Sequence, residues 1–369
     1  MPFLSRFAKL TRSMQAAGLE AVALNPGPSL TYLTGLNFHL MERPVILLFT
    51  PGQDPALILP ELEKLKLQAL TFPAQAFAYG ENPAEWPGVF EQAMETLGLN
   101  GKPIGLEPRA LRLLEYNYLM AAAPAAQWRD ASAPLAQLRI CKDAAEVEIM
   151  RRAVKIAEAA LEATLPLIKI GMTEREVAAE LIINLFRCGS DPELPFAPIV
   201  SCGPNSANPH ASPSDRKLQP GDLLVIDWGA ASGGYISDLT RTFAIGAVQA
   251  EYEKIHAIVQ AANAAGRAAG KPGAACADVD RAARAVIVQA GYGDYFTHRT
   301  GHGIGMEAHE DPYMRGDNPQ ILQPGMAYTV EPGIYLPGRN GVRIEDNLVI
   351  TAAGVECLSS LPREIRALG

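Results

Sequence analysis

Phe3, Phe7, Leu10 and Met14 recur at helical spacing through residues 3–17, and Gly18 stops the run. An amphipathic helix therefore opens the chain. The pattern then turns to short apolar runs broken by turn residues. EAVALNP predicts a strand, SLTYLTGL a short helix, and VILLFTPGQDPALILP two strands around a Pro-Gly-Gln-Asp turn. Alternation continues through IGLEP to a helix near 109–122, and the Ala/Pro/Ser-rich AAAPAAQWRDASAPL then loosens the composition. Interleaved strands and helices define an α/β N-terminal domain over 1–134, with the boundary in the 130–138 region and a second domain over 139–369.

The second domain opens on KDAAEVEIMRRAVKIAEAALEATLPLI, a long helix with Asp143 as N-cap and Glu146 three residues on. MTEREVAAELIINLFRCG gives another, with Thr173 as cap and Glu176 completing the box. From 197 the pattern becomes β: IVSCG, GDLLVIDWGA, GYISDLTRTFAIG, and later AYTVEPGIY and GVRIEDNLVIT. Between these lie Ala-rich helices over 251–269 and 277–290. Helix pairs beside antiparallel strands, met twice, predict an α+β domain in which they cover one curved antiparallel sheet.

Length agrees with two domains, because 369 residues exceed the roughly 250–300 at which single cores stop growing. Hydrophobic residues at 48% and charged residues at 20% are ordinary globular values and exclude extensive disorder. The net charge of −8 disfavours nucleic acid as a partner and points to a small-molecule or peptide substrate. Five scattered cysteines without a CxxC pair indicate neither a disulfide framework nor a zinc knuckle. Arg6, Lys9 and Arg12 interrupt the first apolar residues, so a signal peptide is not expected, and no apolar run reaches the roughly 18 residues of a membrane span. The expectation is a soluble, cytoplasmic protein.

Asp227 in LLVIDWGA, Asp238 in ISDLTRTF, Glu331 in YTVEPGIY and Glu345 in VRIEDNLVI each place an acid inside apolar β sequence. A buried acid is costly unless it is paired or holds a cation. Singly, each reads as a strand-end or salt-bridged carboxylate. Together with His302, flanked by glycines in RTGHGIGM, they make too much buried acid for a structural role. Four carboxylates and one imidazole are hard, oxygen-rich donors suited to two divalent cations; Mn²⁺, Co²⁺ and Zn²⁺ all fit, and a structural zinc site with thiolates does not. Hydrolysis is the natural chemistry of such a pair. The glycines admit close approach, as a ligand held against tight walls would need. His210, His298 and His309 lie near these motifs, whereas His39 and His256 lie outside them and His256 reads as structural.

In this order the motifs GDLLVIDWGA, YISDLTRTF, HRTGHGIG, VEPGIY and VRIEDN resemble those of the pita-bread metallopeptidases over roughly residues 140–360. The first domain, with its MERPVILLF strand, resembles the creatinase-type domain of the proline-specific members, prolidase and aminopeptidase P. The resemblance implies that Asp227 and Asp238 bind one metal and His302 and Glu331 the other, with Asp238 and Glu345 bridging. It further implies Glu331 as proton shuttle, His309 at the carbonyl oxygen, His210 near the scissile nitrogen, His298 in the proline pocket, and Arg343 holding the acids beside the substrate. Mn²⁺ is the first expectation for the metal and a homodimer for the assembly. Hydrolysis of the Xaa-Pro bond follows, in dipeptides for a prolidase or in longer peptides for an aminopeptidase P. A dipeptidase must recognise the free carboxylate, for which Arg315, His39 and Arg43 are candidates. The chain has no extension after Glu345 of the kind that larger aminopeptidases P carry, which favours the dipeptidase. A non-catalytic pita-bread module that binds peptides or proteins is the alternative of a different class, but such modules lose metal ligands and this chain keeps all five.

Overall fold

A computed structural model describes residues 2–369, so residue 1 of the expected first domain lies outside it. The chain divides into two compact units, one ending at Arg139 and the other running Ile140–Gly369.

The first unit contains, in order, α1 (Pro2–Ala16), β1 (Ala21–Leu24), α2 (Pro28–Thr34), β2 (Ile46–Phe49), β3 (Ala56–Pro60), β4 (Gln75–Tyr79), α3 (Trp86–Thr96), β5 (Pro103–Leu106), α4 (Leu113–Ala122), β6 (Gln127–Asp130) and α5 (Ser132–Arg139). Its mixed sheet runs β4-β3-β2-β1-β5-β6. Buried Ile46, Ile58, Phe90, Ile104 and Leu119 pack between sheet and helices. Two details differ from the sequence pattern. The helix expected near 109–122 begins only at Leu113, since a turn closed by the Ala110 amide on the Glu107 carbonyl precedes it. The loosened stretch is ordered as β6 and α5; β6 is an edge strand whose Gln127, Arg129 and Asp130 face solvent, so it lacks an apolar signal.

In the second unit α6 (Ala144–Thr164) and α7 (Glu174–Arg187) both start at capping boxes, Asp143 with Glu146 and Thr173 with Glu176. Next come β7 (Ile199–Cys202), β8 (Leu223–Trp228), β9 (Ala231–Ser232), β10 (Tyr235–Ile236), β11 (Leu239–Ile245), α8 (Ala250–Ala269) and α9 (Cys276–Gln289). The rest is β12 (Gly301–Gly303), β13 (Glu310–Met314), β14 (Ala327–Val330), β15 (Gly333–Tyr335), β16 (Gly341–Arg343), β17 (Asp346–Thr351), β18 (Gly354–Cys357) and β19 (Ala367–Leu368). A sheet β19-β11-β8-β7 and a sheet β13-β12-β14-β17-β18 meet at an antiparallel bridge between Thr240 and Glu345. Pairing is antiparallel except where β19 joins β11 in parallel. Helices α6 and α7 bury Val154, Leu161, Val177 and Leu181 against Leu224, Ile226 and Trp228 of β8, each such side chain contributing about 1.5–3 kcal/mol. Helices α8 and α9 bury Ile255, Val259 and Ile287 beside Ile334, Val342 and Ile344.

Candidate metal centre and active site

Four acids and one histidine converge where the two sheets of the second unit meet. Asp227 lies in β8 directly across from Thr240 of β11, and Thr240 is in turn bridged to Glu345. Asp238 immediately precedes β11, Glu331 fills the break between β14 and β15, and Glu345 that between β16 and β17. The sequence pattern put three of these acids inside strands; they stand at strand ends instead. Pro332 supplies the reason at Glu331, because it has no N–H with which to continue the ladder. Asn263 of α8 donates to the carbonyls of Val330 at 3.0 Å and Ile344 at 3.3 Å, satisfying the backbone just before Glu331 and Glu345. His302 lies in β12, where Cβ atoms at Gly301 and Gly303 would fall 1.9 Å from the Thr329 carbonyl oxygen and 2.3 Å from that of Asp311. The tight walls that require these glycines are therefore neighbouring strands rather than a ligand.

Donor atoms of Asp238, His302 and Glu345 all lie within 4.8 Å of one another. His302 Nε2 is 3.2 Å from Glu331 Oε1 and 3.6 Å from Asp238 Oδ2. Arg343, 3% exposed, donates to Asp227 Oδ2 at 2.6 Å, to Thr240 Oγ1 at 3.1 Å, to the Tyr335 hydroxyl at 3.1 Å and to the Pro209 carbonyl at 3.2 Å. Asp227 Oδ1 and Glu345 Oε1 are buried without a hydrogen-bond partner. Burial, then the neighbouring acids, pushes the carboxyls of Asp238 and Glu345 well above the usual range, and burial raises Asp227 despite Arg343. At Glu331 burial acts in the same direction, but the hydrogen bond and charge of His302 outweigh it and bring the carboxyl to about 2. Partnerless oxygens and mutually repelling acids are what a hard divalent cation would satisfy, so the donor set fits such an ion.

A cavity of about 590 Å³ opens on these five residues and is also lined by His210, His298, His309, Arg299, Arg315 and Arg343. The rings of His309 and His302 are 4.1 Å apart between centroids. Burial brings the His309 imidazole down to about 4, helped by repulsion from His302 and Arg299. His298 Nδ1 is 2.7 Å from the Arg299 carbonyl and Nε2 2.8 Å from the Tyr335 hydroxyl. His210 is exposed on the loop that the Arg343–Pro209 bond ties to the centre. Arg315 is 56% exposed and pairs with Asp317 at 3.0 Å. His39 and Arg43 belong to the first unit, where Arg43 pairs with Glu81 at 3.1 Å.

Several contributors escaped the sequence pattern. Asn347 holds Asp238 from both sides, accepting from its amide at 3.0 Å and donating to its carbonyl at 2.5 Å. Arg241 donates to the Glu345 carbonyl at 2.7 Å and to Asp346 Oδ1 at 2.9 Å, while Arg363 reaches Asp346 Oδ2 at 2.7 Å. Polar residues inside the apolar β segment RIEDNLVIT, and a lone asparagine on the buried face of α8, are the signals that could have found Asp346, Asn347 and Asn263.

A two-domain metal-dependent hydrolase is the class that this sheet and donor set define. The chain belongs to metallopeptidase family M24, matched over residues 148–352, and carries a creatinase/prolidase N-terminal domain, matched over 6–141. It is 32% identical to an Xaa-Pro dipeptidase of Lactobacillus delbrueckii subsp. lactis across 98% of both chains. Among solved structures it is similar to a prolidase from Thermococcus sibiricus, with 31% identity, complete coverage of both chains and a TM-score of 0.94. It is also similar to an X-Pro aminopeptidase from Thermotoga maritima, with 30% identity, a TM-score of 0.86 and coverage of 98% of this chain and 99% of that one. No helix among the described residues is long and apolar enough to cross a membrane.

Proposed function

We propose that the protein hydrolyses the Xaa-Pro bond of dipeptides in the cytoplasm, as a homodimer with two divalent cations, Mn²⁺ first among them and Co²⁺ or Zn²⁺ able to substitute. The observation that carries this reading is the convergence of five hard donors on a cavity that also holds His210, His298 and His309. Asp227, Asp238, His302, Glu331 and Glu345 would hold the ions. Bound there, the ions supply two things: they bring the pKa of water towards neutrality and polarise the scissile carbonyl.

The remaining work falls to side chains. Glu331, ionised at neutral pH, takes the proton of the attacking water and delivers it to the leaving proline nitrogen. His309 is neutral at the same pH, and Arg299 Nη2 lies 3.4 Å from its Nδ1. An arginine can only donate, so Nδ1 accepts, and Nε2–H is left to stabilise charge on the carbonyl oxygen. His210 supports the scissile nitrogen. His298 gives Nδ1–H to the Arg299 carbonyl and accepts from Tyr335 at Nε2, so it offers the pocket ring faces and C–H edges rather than a free polar atom. Such a wall suits a proline ring, whose amide nitrogen has no hydrogen to donate.

The likeness to the Thermotoga maritima X-Pro aminopeptidase favours a second reading, in which longer peptides are cut at the same bond. Rates on Ala-Pro and Ala-Pro-Ala separate the two. The dipeptide should be strongly preferred after Mn²⁺ loading, and equal efficiency on the tripeptide would make the protein an aminopeptidase. A fully active monomer in sedimentation at micromolar concentration would overturn the dimer.

A further inference from the structure

We propose that Arg299 is the receptor for the free carboxylate of the substrate and thereby limits the enzyme to dipeptides; the inference rests on the Xaa-Pro dipeptidase reading above. Three arginines border the cavity. Arg343 is consumed by Asp227, Thr240, Tyr335 and Pro209, and Arg315 is neutralised by Asp317. Arg299 alone of the three has no carboxylate partner among the described residues. Its guanidinium lies over the Tyr313 ring, 4.6 Å from the centroid, and makes one side-chain hydrogen bond, to His309.

This cation–π contact restrains the guanidinium without consuming its N–H donors. Of five N–H donors one is spent, and the rest match a carboxylate in paired fashion. The backbone that presents this side chain is pinned on both sides. Arg284 donates to the His298 carbonyl at 2.7 Å, and Asp280 Oδ1 accepts from the Thr300 amide at 3.0 Å and hydroxyl at 2.8 Å. A C-terminal proline carries its ring and its carboxylate on one Cα, so their receptors must be neighbours. His298 and Arg299 are consecutive residues.

The test compares Ala-Pro with Ala-Pro amide, which keeps the ring and the scissile bond and removes only the negative charge. The Mn²⁺-loaded wild-type enzyme should prefer the acid. Arg299→Gln should lower kcat/KM on Ala-Pro by about 10- to 100-fold, chiefly through KM, the range for losing a charged hydrogen-bond pair. Loss on the amide should be at least about tenfold smaller, and Arg299→Lys should recover part of the acid preference. Metal content and thermal midpoint of each variant show whether the site has survived. Equal losses on acid and amide would mean that Arg299 serves only to orient His309, and would overturn the proposal, as would an unaltered acid preference. Should both variants fail to fold, inhibition of the wild type decides: proline should bind about tenfold or more tightly than prolinamide, and equal inhibition refutes the carboxylate receptor. A wild-type enzyme that cleaves neither substrate would instead refute the Xaa-Pro reading.

Discussion

Asp238 and Glu331 illustrate how differently two acids of one centre should respond to loss of charge. Asp238→Asn removes a donor from a cluster in which burial already disfavours ionisation, so metal content should fall with activity, measured by elemental analysis beside the assay. Glu331→Gln should cost at least about a hundredfold in kcat if proton transfer passes through it; near-normal turnover at full metal content would leave it as a ligand only. His309→Ala should lower kcat more than it raises KM, and a change confined to KM would contradict its place at the carbonyl oxygen. His256 behaves otherwise: burial in α8 lowers its pKa to about 4, so the folded protein excludes a proton that the unfolded chain accepts near pH 6.5. Its contribution is fully present above that value and is lost as pH falls towards 4, an effect of up to about 3 kcal/mol. His256→Gln should flatten the pH dependence of unfolding in that window. At this scale the acids proposed to hold the ions were conspicuous because each interrupts a stretch of apolar β sequence. Arg299 was not, because an unpaired cation looks in sequence like any solvated one.

Elements set where those residues can act. Helices α6 and α7 were legible from their caps, and both boxes formed as expected. What the pattern could not show is that AYTVEPGIY and GVRIEDNLVIT are each two strands, since alternation does not reveal a break whose carbonyls are satisfied from a distant helix. The polar edge strand β6 escaped for a related reason, having little buried surface to advertise. Asp346 binds elements together: fully buried, it meets Arg241 of β11 and Arg363 near the end of the chain. Asp346→Asn would leave Arg241, Arg363 and the more distant Arg267 incompletely compensated and should lower stability by about 3–5 kcal/mol, read from the urea midpoint. Metal affinity should weaken with it, because Arg241 also holds the Glu345 carbonyl.

For the molecule as a whole, the acidic centre should couple stability to bound divalent ions. Without them, Asp238 and Glu345 keep protons in the folded state that the unfolded chain gives up, because burial and mutual repulsion raise their pKa values. Stability of the chelator-treated protein should therefore fall, across a pH scan, as pH rises above the ordinary carboxylate range of about 4, with His256→Gln removing the opposing His256 contribution from the same scan. Adding Mn²⁺ at the upper end should restore the thermal midpoint, since an ion that binds only the folded state stabilises it by mass action. A midpoint indifferent to chelator and pH would contradict this. The same raised acids make filling the centre an acid-producing event. Each protonated carboxyl must surrender its hydrogen ion before it can ligate, so titrating the stripped protein with Mn²⁺ in weak buffer should acidify the solution, and the apparent binding constant should climb with pH.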